Sequence, residues 1–262
     1  MYGLVSSQYA RENQERFLGE LKDLLRIPSV STAPEHKEDV RRAAEYVANG
    51  LRNIGMENVE IISTERHPLI YADWLHAPGK PTVLCYAHYD VQPPDPLDEW
   101  KSPPFEPTER DRNLYARGAV DDKGQLWMEV KAIEALMRAH GGKLPLNVKF
   151  IVEGEEEVGS PTFEALLRAE RARLACDLVV VSDTGMLAVD LPSTCVAMRG
   201  LVGFDVAREF LNRAIVERHA DAMIEKPCGL LSDPQIASDF ARTDSVLAVH
   251  DEPQRSKPLI ET

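Results

Sequence analysis

The sequence predicts an α/β fold, on three observations. Short apolar runs of strand length recur at 82–86 (TVLCY), 144–152 and 177–181 (DLVVV), and helical stretches stand between them. The runs are nearly continuous in apolar character, as strands covered on both faces are. Each run also ends in charged or metal-capable side chains, and in open α/β sheets ligands collect at the carboxyl ends of strands.

Composition narrows what such a fold does. The chain has 262 residues, of which 44% are hydrophobic, enough for one large core or two small ones. Acidic residues outnumber basic ones 43 to 30, a formal charge of -13. That balance argues against nucleic acid, which needs a basic face, and against an anionic membrane. Small acidic substrates remain compatible with it. The cysteines Cys85, Cys176, Cys195 and Cys228 lie far apart with no CxxC pair, so buried free thiols are expected rather than a zinc knuckle or a disulfide framework. No basic leader precedes a long apolar core, which predicts a cytoplasmic location.

In chain order, Phe17, Leu18, Leu21, Leu24 and Leu25 recur at helical spacing and predict a helix over 10–25, ended by Pro28. A second helix over 37–54 carries Val40, Ala43, Ala44, Val47 and Leu51 on one face and stops at Gly55. Strands follow at 59–63 and 69–74, then the buried strand 82–86. It runs into AHYDVQPP, which puts His88 and Asp90 at its carboxyl end. A lone histidine there is ordinarily structural. Residues two apart in an extended chain face the same way, however, so Asp90 can orient the imidazole of His88.

The proline-rich stretch 92–116 lacks periodicity, but Trp100, Phe105 and Tyr115 predict an ordered loop walling a site. It ends in ARGAVDDKGQ, and a helix over 124–140 follows with Leu126, Val130, Ile133, Leu136 and Met137 as its stripe. An N-cap explains one aspartate of the Asp121, Asp122 pair and leaves the other without a task. The strand 144–152 opens onto IVEGEEEVGS, with Glu153, Glu155, Glu156 and Glu157. Taken alone this is a solvated acidic turn. A helix over 160–174 follows, and the strand 177–181 ends at Ser182, Asp183 and Thr184. His88, Asp121, the Glu pair and Asp183 therefore gather at strand ends and a helix start. One shared site accounts for all of them, and histidine nitrogen with carboxylate oxygens is the ligand set of Zn²⁺ and of paired cations.

The motifs YAHYDVQPPDPLDEW, SPPFEP, LYARGAVDDKG, EGEEEVGS and VVSDT, in that order, resemble the dinuclear-zinc dipeptidase and deacylase family of carnosinase and acetylornithine deacetylase, most closely its dipeptidase branch. The resemblance covers residues 10–206. It implies a zinc-exopeptidase-like mixed sheet flanked by helices in three layers, and hydrolysis of the amide bond of dipeptides or N-acyl amino acids. It also implies that His88 and Asp183 ligate one Zn²⁺, that Asp121 bridges to a second and Glu157 ligates it, with Mn²⁺ or Co²⁺ as substitutes. Glu156 is then the general base, Asp90 orients His88, and the bond from Asp121 to Asp122 is cis.

Family members are longer. A lid domain follows the motif resembling MRGLVGFDV, carries the dimer interface and grips the substrate, and a returning segment brings a late histidine ligand. Against that pattern the chain reads as truncated: 1–206 is the first part of a catalytic domain, the fold is incomplete and the lid absent. Residues 207–262 read as an unrelated helical tail, with helices around 210–223 and 236–249 and with His219 and His250 at the surface. The alternative function is a remnant that binds metal and turns over little.

Overall fold

The computed structural model describes residues 2–185, together with a few isolated positions and short strands between 188 and 225. The chain divides into two compact units, Met1–Pro192 and Ser193–Thr262.

The first unit is built on a five-stranded mixed sheet in the order β1-β2-β6-β3-β7. Its strands are β1 (Glu57–Ile62), β2 (Leu69–Trp74), β3 (Thr82–His88), β6 (Asn147–Glu153) and β7 (Leu178–Val181). β1, β2 and β6 pair antiparallel, whereas β6 and β7 both run parallel to β3. A two-stranded hairpin, β4 (Thr108–Arg110) with β5 (Asn113–Tyr115), stands apart from it.

The helices are α1 (Tyr2–Glu12), α2 (Gln14–Leu25), α3 (Lys37–Ile54), α4 (Lys123–Ala139) and α5 (Phe163–Ala169). The period-2 alternation of the strands sends side chains to two cores. Ile70, Ala72, Trp74, Cys85, Ala87, Val148, Phe150 and Val152 meet the apolar stripes of α2, α3 and α4 on one face. Leu69, Tyr71, Leu84 and Ile151 meet Phe163 and Leu166 of α5 on the other. The result is three layers, as expected.

α3 spans the predicted 37–54 and ends where Gly55 adopts φ 99°, a left-handed conformation that costs glycine nothing. The single helix expected over 10–25 is instead two, broken at Asn13, whose amide bonds back to the Tyr9 carbonyl at 2.9 Å. α5 is shorter than the predicted 160–174. Its N-cap residue Thr162 makes no capping bond because its hydroxyl is given to Glu155 at 2.9 Å.

The largest departure is β7. Its apolar sequence predicts burial on both faces, yet among the described residues it forms an edge of the sheet with Leu178, Val179 and Val181 exposed.

In the second unit β8 (Leu201–Gly203) pairs with β11 (Met223–Glu225), and β9 (Ala207–Arg208) with β10 (Arg218–His219). Residues 218–219 and 223, within the helix expected over 210–223, are strand, and the rest of that stretch lies outside the described residues. The pairing of β8 with β11 also ties 201–203 to later residues of the second unit. The helix expected over 236–249, and His250, lie outside the described residues. Among the described residues no helix is long and apolar enough to cross a membrane.

Candidate metal centre

β3 carries His88 to its carboxyl end, fully buried. Parallel pairing sets His88 opposite Glu153 of β6 on one side, and sets β7 on the other. Carboxylates from three different segments therefore converge on one imidazole. Its Nε2 lies 3.0 Å from Asp121 Oδ1 and 3.6 Å from Asp183 Oδ2. Its Nδ1 faces the backbone carbonyl of Asp90 at 3.1 Å. Asp90 Oδ1, 3.3 Å from the same nitrogen, makes no hydrogen bond. Asp90 thus meets the imidazole chiefly through its main chain, while its Oδ2 accepts the backbone N–H of Glu157 at 3.2 Å.

His88, Asp121 and Glu157 each offer a ligand atom, and these atoms lie within 4.8 Å of one another, close enough to share a metal ion. Electrostatics agree with a cation there. Burial opposes charge on His88, but the carboxylates of Asp121, Asp183 and Asp90 around it outweigh it and raise the imidazole pKa. The Asp121 carboxyl is lowered, first by its bond to His88. A proton on Nε2 stands where these carboxylates favour positive charge.

The remaining acids are shifted upward. Burial pushes Glu156 to about 7, with smaller contributions from the charges of Glu157, Asp183 and Asp90. Burial is the larger cause, ahead of the acidic neighbours. Burial also raises Glu157, against the bond it accepts from Gln92 Nε2 at 2.6 Å.

The turn that delivers Asp121 is held from below. The bond from Asp121 to Asp122 is cis. Asp122 stands at the N-cap position of α4 without capping it, and Oδ2 instead accepts the backbone N–H of His88 at 3.1 Å. Burial raises the Asp122 carboxyl to about 7. Lys123, fully buried, donates from Nζ to the carbonyls of Leu24 (3.2 Å) and Ile27 (2.6 Å), and burial lowers its pKa to about 7. It thereby ties the start of α4 to the end of α2.

The glutamates after β6 divide by task. Glu155 is buried and accepts from His67 N (2.9 Å), Thr64 Oγ1 (3.0 Å), Thr162 N (3.3 Å) and Thr162 Oγ1 (2.9 Å). It is an internal brace of the turn presenting Glu156 and Glu157. Glu153 accepts from the Tyr86 hydroxyl at 2.7 Å. At Gly154 an added Cβ would stand 2.4 Å from the Tyr89 hydroxyl oxygen, so the buried tyrosine excludes any side chain there.

The loop over 92–116 is ordered, as expected. The Trp100 indole N–H donates to Pro94 O at 2.7 Å, Arg117 Nη2 to Pro93 O at 3.0 Å, and the Asp95–Pro96 bond is cis. Gln92 brings the loop onto Glu157 itself. Sequence reasoning assigned no task to Gln92, Asp122 or Glu155. Only the double aspartate signalled that one of the three had a role.

A parallel-centred mixed sheet with a histidine and carboxylates at its strand ends is a candidate metal centre. The sequence profile of peptidase family M20/M25/M40 matches residues 84–255, and the chain belongs to that family. The match continues beyond 206, where the motif resemblance ends.

The Beta-Ala-His dipeptidase of Rattus norvegicus is 35% identical over 213 residues, covering 76% of this chain and 43% of that protein. The Cys-Gly metallodipeptidase dug1 of Schizosaccharomyces pombe is 32% identical over 210 residues, covering 76% and 44%. The crystal structure of human carnosine dipeptidase 1 superposes with a TM-score of 0.64 at 35% identity, covering 70% of this chain and 41% of that one. The chain spans about two fifths of the length of the curated relatives it matches.

Proposed function

We propose that this chain hydrolyses the amide bond of dipeptides or N-acyl amino acids at a divalent-metal site, acting in the cytoplasm. The observation that carries the reading is the approach of ligand atoms of His88, Asp121 and Glu157 to within 4.8 Å. The dipeptidase relatives supply the substrate class. The free thiols of Cys85 and Cys176 suit a reducing compartment.

In this reading His88 and Asp183 would hold one cation, and Asp121 and Glu157 would hold a second. Zn²⁺ suits the mixed nitrogen and oxygen donors, and Mn²⁺ or Co²⁺ would substitute. When bound, such cations polarise the scissile carbonyl and acidify water. Asp90 keeps the His88 ring in place from Nδ1. Glu156 accepts the proton of the attacking water on its carboxylate and returns it to the departing amine. Burial raises its basicity, as a general base requires.

One observation favours a second reading, a body that binds metal and turns over little. Among the described residues the ligand group contains a single histidine, so the second cation would rest on Asp121 and Glu157 alone. Metal content per chain, with hydrolysis of a dipeptide panel in Zn²⁺, Mn²⁺ or Co²⁺, separates the two. Two metals with turnover establish the enzyme; metal at one site or none, without turnover, defeats it. In an active protein Glu156→Gln should lose about 10²- to 10⁴-fold in kcat and keep its metal. Wild-type turnover in that variant would remove Glu156 as the base.

A further inference from the structure

Asp183 reaches the centre from the least supported strand of the sheet. Among the described residues β7 is bonded on one side only, by β3, and the ladder stops at the pair Tyr86 and Val181. Three of its four residues are exposed, so side-chain burial does little to hold it. Asp183 lies two residues past the last ladder pair, yet its Oδ2 comes to 3.6 Å from His88 Nε2.

Between them stands Ser182, and its hydroxyl donates to Glu129 Oε1 on α4 at 2.6 Å. Glu129 is 9% exposed, and its other oxygen, Oε2, is buried with no hydrogen-bond partner. A carboxylate is costly to bury and is poorly explained as packing. The position on α4 adds a second observation. Asp122 and Glu129 are seven residues apart, two helical turns, and so share a face. Asp122 grips the backbone N–H of His88 at the end of β3, and Glu129 grips Ser182 at the end of the neighbouring β7. One face of one helix therefore holds the ends of both strands that bring His88 and Asp183 together.

We propose that Glu129 is a positioning residue of the metal centre, which sets Asp183 against His88 by fixing Ser182. The inference rests on the metal-site reading above, in which Asp183 is a ligand. Residues that orient ligands from behind usually account for about 10- to 100-fold in metal affinity. Glu129→Ala should weaken Zn²⁺ binding by that factor, measured by competition with a chelator, and Ser182→Ala should do the same. The double variant should lose no more than either single one, because both remove the same bond. Glu129→Gln should keep most of the affinity, since its amide oxygen can still accept from Ser182.

A second readout needs no metal. In the metal-free protein, backbone amides of Asp183 and Thr184 should exchange hydrogen faster in Glu129→Ala, with those of β6 unchanged. If Glu129→Ala does not fold, Ser182→Ala decides by the same two measurements. Wild-type affinity and wild-type exchange in these variants would overturn the proposal. A wild-type chain that binds no Zn²⁺ would instead overturn the metal-site reading, and the exchange measurement would still judge whether Glu129 holds the end of β7.

Discussion

β6 and β7 both run parallel to β3, one on each side, and both lead into carboxylates of the same centre. Their surroundings differ. β6 is buried from Val148 to Glu153 between β2 and β3, whereas β7 is mostly exposed at the edge of the sheet. The glutamates after β6 inherit their position from a packed strand and from the brace of Glu155. Asp183 after β7 has no such inheritance, and Ser182 beside it is held by a polar contact. Two strands with the same direction thus place carboxylates by different physics, apolar burial in one case and a hydrogen bond from a helix in the other.

The sharpest way to break this contrast is in the middle of β6. Phe150 is fully buried against the helical layer. Phe150→Ala should cost about 3 to 5 kcal/mol in chemical denaturation, the transfer loss plus the cavity left behind. A loss near that expected for a surface site would show that β6 is not the packed member of the pair.

A smaller effect tests the polar side of the comparison by pH. Burial pushes Glu129 from its ordinary value of 4.5 up to about 7. Glu129 therefore binds a proton more tightly in the folded state than in the unfolded one. Its contribution is fully present below about pH 4.5 and is lost as pH rises through about 7. Asp122 and Glu156 are raised in the same direction, so the metal-free wild type should lose stability from pH 5 to pH 8 through all three. Glu129→Gln should remove its own share, about 1 to 3 kcal/mol of that slope. Parallel pH profiles for the two proteins would mean that Glu129 is not buried as described.

The same contrast explains what could be read in advance. The strand 69–74 and the helix 37–54 were legible to the residue, because periodicity and a glycine stop are local properties. His88, Asp121, Glu157 and Asp183 could be named because each ends or begins an element. The exposure of β7 could not be read, since an apolar run of four or five residues looks alike at an edge and in the centre. Nor could the bond from Glu129 to Ser182, which joins residues 53 apart in the chain and depends on how α4 crosses the sheet. Glu155 was visible as an acid but not as a brace, because its donors come from 64–67 and from Thr162.

The smallest expected effect is on β7 itself. Val179 is 51% exposed and sits in a strand paired, among the described residues, only to β3, so a polar side chain of the same shape loses little burial there. Threonine keeps the β-branched form that suits a strand. Val179→Thr should therefore change stability by less than about 0.5 kcal/mol, where a buried Val-to-Thr change in a packed strand would be felt through its hydroxyl. A loss above about 1 kcal/mol would show that this face of β7 is covered in solution. Asp183 would then share the kind of support that β6 gives its glutamates, and the bond to Glu129 would be one support among several.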